Sequence, residues 1–282
     1  CIKTTGATFT MKRLAILAIT LLALAVGGLA SAQQNTLEKI KEAGKIVVGV
    51  KTDYPPWGMR DSDGNIVGME IDMAQDIADR LDVELELVPV VASNRMEFLE
   101  QGKIDLLLAT MCDTPERREV VGIVEPNYYA SGINVLAPKQ LGLTEWEELR
   151  GKPVCGIQGA WYNKMVSEKF GAEPVTFTGV PEVEQALMAG RCAAWLYDDS
   201  AFVTRLQDQE KWSDFEMPLK TTDFAPWGIA VPLAEREGSY GQYISEVITD
   251  WHKAGTLVEL ESKWGIPPTD WLAEQHQQFA EQ

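Results

Sequence analysis

The chain has 282 residues, with 42 acidic and 25 basic side chains and a net charge of −17. That excess of negative charge argues against nucleic acid or an anionic membrane surface as a partner. The only histidines, His252 and His276, lie near no cysteine in sequence and give no ground for a metal site.

Residues 1–10 have no targeting character and read as an extraneous leader. Residues 11–32 read as a signal peptide: Met11-Lys12-Arg13 is basic, Leu14 to Leu29 carries no charge, and Ala30-Ser31-Ala32 is a small-x-small cleavage site. Cleavage after Ala32 would leave 250 residues, enough for one large or two modest domains, and would take the net charge to −20 by removing Lys3, Lys12 and Arg13. The expected location is the periplasm. No cysteine follows the apolar run, so a lipoprotein signal is not supported.

Strand and helix patterns then alternate, as in a parallel α/β architecture. Lys45 to Val50 reads as a strand, followed by the rigid turn Tyr54-Pro55-Pro56-Trp57 and by hairpin-turn chemistry at Asp61 to Asn65. Asp72 is expected to cap a helix whose apolar positions Met73, Ala74, Ile77, Ala78 and Leu81 recur at helical spacing. Val83 to Val88 alternates as a half-exposed strand, and Arg95 to Gln101 reads as a short helix. The segment Gly102 to Arg118 carries the most information. Ile104 to Ala109 is apolar enough for a buried parallel strand. Thr114 offers an N-cap oxygen, and Pro115 suits the first helical position. The helix start would face the carboxyl edge of the sheet, where Arg117 offers a planar cationic fork for a carboxylate. The same residues also make a plain helix start with a solvated arginine.

A second α/β series follows. Ser131 to Ala137 is extended, Leu143 to Leu149 helical, Val154 to Ile157 a strand, and Trp161 to Phe170 and Val183 to Ala189 are helices. Ala193 to Tyr197 is a strand and Asp199 to Gln207 a helix, where Asp198 or Asp199 serves as a cap or as a site acid. Phe224 to Val231 is extended, Tyr240 to Ala254 and Val258 to Lys263 are helical, and regular structure is expected to end at Gly265-Ile266-Pro267-Pro268. The extended stretches 131–137 and 224–231 bracket the middle unit, as two crossings between lobes would. Cys112, Cys155 and Cys192 remain after the leader. Cys155 and Cys192 suit a disulfide with Cys112 as a buried thiol, or all are free.

In these residues the chain resembles the family 3 periplasmic solute-binding proteins, amino-acid receptors of ABC uptake systems. The landmarks are KTDYPPWG, DGNIVGMEIDMAQDIADRL, SNRMEFLEQGKIDLLLATMCDTPERR, LRGKPVCGIQGA and AGRCAAWLYD, in family order. The resemblance implies a type II two-lobed clamshell, each lobe a mainly parallel sheet flanked by helices, joined by two hinge strands. Lobe 1 would hold residues 33–133 and 228–282, and lobe 2 residues 134–227. It implies an extracytoplasmic monomer without cofactor, which captures a polar amino acid and delivers it to permease subunits in the membrane. Arg117 takes the place of the carboxylate-binding arginine and Asp198 that of the ammonium acceptor. Tyr54 corresponds to a covering aromatic and Asp53 to a side-chain contact, with Trp57 as a further aromatic wall. Thr110 and Cys112 match strand-end hydrogen-bonding positions, Cys112 standing where a hydroxyl is common. Gln158, Gly159 and Ala160 match the loop of the second lobe, which Trp161 extends. Side-chain cues conflict: Asp53 suggests a basic or amide group, whereas Arg95 suggests a second carboxylate, with a lean toward glutamate, glutamine or aspartate. The alternative is a periplasmic dehydratase for prephenate-like acids on the same fold, with a carboxylate such as Glu70 or Asp53 as general acid.

Overall fold

The computed structural model describes residues 35–281. The expected leader, signal peptide and cleavage site lie outside them. In chain order the elements are α1 (Thr36–Ala43), β1 (Lys45–Val50), β2 (Asp53–Tyr54), β3 (Gly58–Arg60), β4 (Ile66–Val67), α2 (Met69–Leu81), β5 (Glu84–Pro89), α3 (Arg95–Glu100), β6 (Leu106–Leu107), α4 (Pro115–Arg118), β7 (Gly122–Ile123) and β8 (Tyr129–Pro138). There follow β9 (Pro153–Ile157), α5 (Tyr162–Phe170), β10 (Glu173–Phe177), α6 (Val180–Met188), β11 (Ala194–Asp198), α7 (Asp199–Arg205), α8 (Gln209–Trp212), β12 (Phe215–Glu216), β13 (Thr222–Trp227), β14 (Ala230–Val231), α9 (Ser239–Ala254), α10 (Thr256–Lys263) and α11 (Asp270–Ala280).

The fold is a two-lobed type II clamshell with one main sheet per lobe, and β2, β3 and β4 form a small third, antiparallel sheet. In the first sheet, ordered β5-β1-β6-β14-β7, β1 runs parallel to β5 from Lys45 opposite Glu84 to Val50 opposite Pro89. It also runs parallel to β6, while β14 is antiparallel to its neighbours. β5 is an edge strand, which explains its glutamates at alternate positions. In the second sheet, ordered β10-β9-β11-β8-β12, the first three strands are parallel and β8 is antiparallel to β11. β13 pairs antiparallel with β8 through Trp227 opposite Tyr129. β8 is buried from Tyr129 to Ala137, as its apolar run requires. Cys155, on β9, is joined to Cys192 by a disulfide, and Cys112 is a free buried thiol.

Several local expectations need correction. Helix α2 begins at Met69, not at an Asp72 cap: Gly68 (φ 146°) is its N-cap, where a Cβ would lie 2.3 Å from the Trp57 carbonyl oxygen. Asp72 sits in the first turn, suited to the positive end of the helix, and accepts from Trp264 Nε1 at 2.6 Å and Lys263 Nζ at 2.7 Å. The strand expected over 104–109 pairs only at Leu106–Leu107, and the helix after Thr114 is a single turn, Pro115–Arg118. The segment 143–149 is a 3₁₀ turn at Trp146–Leu149. The stretch 224–231 divides at Gly228-Ile229, and its two halves join different sheets. Strand β10 and helices α1 and α11 were not anticipated. Pro267-Pro268 ends one helix but leaves Thr269, extended, free to start the next. α11 then packs against α9 and β8.

Candidate functional site

Three segments deliver the first-lobe side chains to one corner. The Thr114 hydroxyl accepts the Arg117 N–H at 3.4 Å and starts α4. Cys112, bridged to Trp227 of β13, anchors the approach to that turn. Arg117 is buried, and its Nη1 donates to the Cys112 carbonyl at 2.8 Å. Its Nη2 donates at 3.3 Å to the carbonyl of Gly159, on the loop between β9 and α5 of the second lobe. Arg95, at the start of α3, is also buried and donates through Nη1 to the carbonyls of Ala109 and, at 3.3 Å, Thr110. Thr110 adopts a positive φ of 47°. Its N–H is spent on Glu70 Oε1 at 2.6 Å, which also accepts from the Tyr128 hydroxyl.

The second lobe contributes Asp198, the last residue of β11. Its side chain makes no cap bond to α7 and accepts instead from the Tyr54 hydroxyl at 3.1 Å. Asp199 turns the other way, accepting from Ser131 Oγ at 2.7 Å and from the Gly132 N–H at 3.0 Å on β8. The helix-capping reading of this pair is therefore corrected: neither aspartate caps α7 with its side chain, and adjacent acids serve the cleft and the hinge strand respectively. Burial pushes Asp198 up to about 7, against the opposing pull of the Tyr54 hydrogen bond. Burial likewise raises Glu70 to about 7 and the Cys112 thiol to about 11, so Cys112 stays protonated at neutral pH.

Between the lobes lies a cavity of about 20 Å³, room for little more than one water molecule. Arg117, Thr110, Cys112, Ala160, Trp161 and Asp198 of the expected set line it, and so do Arg95, Lys51, Ala92, Ile157, Tyr162 and Tyr197. Five expected residues do not. Trp57 is fully buried in an aromatic cluster with Tyr54 (5.2 Å), Trp227 (5.5 Å) and Tyr129 (5.8 Å), because three neighbouring rings offer it a dry packing site. Tyr54 stands behind Asp198 and Tyr197, reaching the former by its hydroxyl and the latter by ring contact at 4.9 Å. Asp53 is held by Lys51 Nζ at 2.7 Å and by the Val180 N–H at 3.1 Å, at the start of α6. Gln158 is exposed and donates its N–H to Phe177. Gly159 (φ +84°) lies close against the first lobe: a Cβ there would lie 2.8 Å from Ser93 Cα and 2.9 Å from the Ala92 carbonyl.

Lys51, Tyr162 and Tyr197 were missed. They come from a strand end, a helix start and a strand interior, where apolar patterning predicts structure and says nothing about which lobe faces them. Among the described residues, no group of three or more His, Cys, Asp or Glu is placed to hold a metal.

Comparison with known proteins gives a consistent picture. The family described as bacterial extracellular solute-binding proteins, family 3, matches residues 46–267. The chain is 28% identical over 236 residues to the L-cystine-binding protein of Escherichia coli strain K12, covering 83% of this chain and 87% of the relative. It is 29% identical over 238 residues to the ABC transporter glutamine-binding protein of Bacillus subtilis, covering 82% and 85%. The crystal structure of the cysteine-binding protein from Campylobacter jejuni superposes with a TM-score of 0.76 at 27% identity, covering 82% of this chain and 92% of that one.

Proposed function

The chain belongs to the family 3 bacterial extracellular solute-binding proteins, and from that premise we propose that it captures a polar α-amino acid between its lobes and delivers it to an ABC permease. The observation that carries this reading is that Arg117 and Asp198, from opposite lobes, line one cavity, which must widen as the lobes part before an amino acid can enter. A zwitterion needs one cationic and one anionic anchor. Arg117 presents its guanidinium to a carboxylate in bidentate fashion. Asp198, oriented by Tyr54, accepts from an ammonium group. Neither lobe alone satisfies both ends, so bound ligand favours closure, which is the differential contact that a clamshell needs. Micromolar affinity asks for a net gain of only about 8 kcal/mol.

The relatives' names support amino acids as the ligand class, since they include cystine, cysteine and glutamine binders. We take lobe 1 as residues 33–133 with 228–282 and lobe 2 as 134–227. This division is supported by β8 and β13 running side by side next to the crossings. The signal-peptide pattern of residues 11–32 supports export to the periplasm; there we take the protein to work as a monomer with membrane permease subunits. The role is binding, without bond chemistry.

The test is a thermal-shift screen of the mature protein against the common amino acids, since a specific binder raises the melting temperature with ligand concentration. A shift with one or a few polar amino acids, and no turnover of prephenate-like acids in a parallel assay, is the expected result. Turnover would put the dehydratase reading in its place.

A further inference from the structure

The side chain of the ligand is the open part of that reading, and the structure separates the two residues whose cues conflict. Asp53 is already committed. One of its oxygens lies 2.7 Å from Lys51 Nζ, the other accepts the Val180 N–H, and it does not line the cavity. Its expected contact with the ligand's side chain is therefore taken up by the protein itself.

Arg95 is in the opposite position. It is 4% exposed and lines the same cavity as Arg117. Its Nη1 rests on two backbone carbonyls, its Nε has no acceptor, and among the described residues no carboxylate stands within ion-pair distance of it. Glu70, the acid behind it, gives one oxygen to Thr110 and Tyr128, and burial favours its protonated form up to about 7. With Lys51 and Asp53 cancelling, the cavity sets two arginines against the single carboxylate of Asp198. An α-carboxylate and an α-ammonium occupy Arg117 and Asp198 and leave Arg95 buried without a counter-charge, which is costly. A second carboxylate on the ligand removes that cost and gains charge-assisted hydrogen bonds from the free edge of the guanidinium.

We infer that Arg95, buried beside Arg117 without an acid partner, makes the cavity select a short dicarboxylic α-amino acid over amide, neutral and basic ones. The inference rests on the amino-acid reading above and deepens it.

The test is calorimetric titration of the mature protein and of Arg95→Gln with L-aspartate, L-glutamate, L-glutamine, L-alanine and L-arginine. In the wild type, the better acid should bind at least about thirtyfold tighter than glutamine, as expected for a desolvated charge pair. In Arg95→Gln that ratio should shrink to within about threefold, because the neutral amide no longer prefers charge over dipole. Glutamine, alanine or arginine binding the wild type as tightly as the acids overturns the inference, and so does an unchanged ratio in the variant. Should Arg95→Gln fail to fold, the wild-type ranking decides by itself. Binding of no amino acid at all is a separate outcome: it removes the receptor reading, and this inference goes with it.

Discussion

The two walls of the cleft solve the burial of charge in opposite ways. The first-lobe wall holds Arg95 and Arg117 on backbone carbonyls, those of Ala109 and Thr110 for one and of Cys112 for the other. The second-lobe wall holds one acid, Asp198, whose side chain accepts from the hydroxyl of Tyr54. Carbonyl dipoles and a hydroxyl orient these charges but do not neutralise them. Each wall is thus left with an arginine or aspartate charge of one sign, which the proposed ligand between them would neutralise. Other buried and half-buried acids and bases are met within the protein, Arg118 by Asp113, Arg205 by Glu184, and Glu261 by the hydroxyls of Tyr129 and Thr269. Arg95, Arg117 and Asp198, buried and without an ion pair among the described residues, all line one cavity, which is what supports reading it as a binding site.

Removing the arginine of the first wall breaks the comparison most severely. Arg117→Ala should cost about 3–5 kcal/mol of amino-acid affinity by calorimetry, since a buried carboxylate loses its partner. Wild-type-like binding would remove Arg117 from the site.

Glu70 tests what lies behind the first wall, through stability. Its unfolded carboxyl ionises near the ordinary 4.5, whereas the folded one keeps its proton to about 7. Between those values the folded state binds more protons, so stability of the ligand-free protein falls as pH rises from about 4.5 to about 7 and levels off above, by up to about 3 kcal/mol from this group. Denaturation of Glu70→Gln across that window should show a flatter profile, and an unchanged slope would show that Glu70 is not the group responsible.

On the second wall, Asp198→Asn should weaken α-amino acids by about 2 kcal/mol while sparing des-amino analogues. Because burial raises Asp198 to about 7 and an ammonium favours its ionised form, affinity should fall as pH drops through 7, by up to about tenfold per unit, and the Asn variant should lose that dependence. Equal losses for both ligand classes would count against an ammonium contact. Smallest is the effect where the walls touch. Gly159→Ala adds a Cβ against the backbone of Ala92 and Ser93 at a positive φ, so it should resist closure and lower affinity about tenfold for every ligand alike. A change in ligand ranking instead would mean that the loop reads the side chain.

Much of this architecture is legible from the chain alone because it rests on local chemistry. Hydrophobic runs mark β1, β8 and β9, apolar period marks α2, and the order of five short motifs marks the clamshell. Arg117 and Asp198 could be proposed because the family resemblance assigns them roles: one stands in the helix turn after a strand pattern, the other at a strand's end. Boundaries were less legible where propensity met packing. β6 pairs with β1 only at Leu106 and Leu107 although the apolar run is longer, and α11, past the two prolines, packs on α9 and β8.

What folding alone decided is which of the candidate charges remain unpaired. Asp53 and Arg95 look alike in sequence, each a charged residue near a strand end or helix start. The approach of the lobes gives Asp53 the Val180 N–H, while packing inside the first lobe sets Arg95 on the carbonyls of Ala109 and Thr110 with no acid partner among the described residues. Trp57 and Tyr197 are likewise sorted into core or cleft wall by partners distant in sequence, Trp227 for one and Tyr54 for the other. Local patterning sets the elements because backbone bonds and apolar stripes are short-range. The counter-charge of a buried group depends on what arrives from the other lobe, and no stretch of sequence records that meeting.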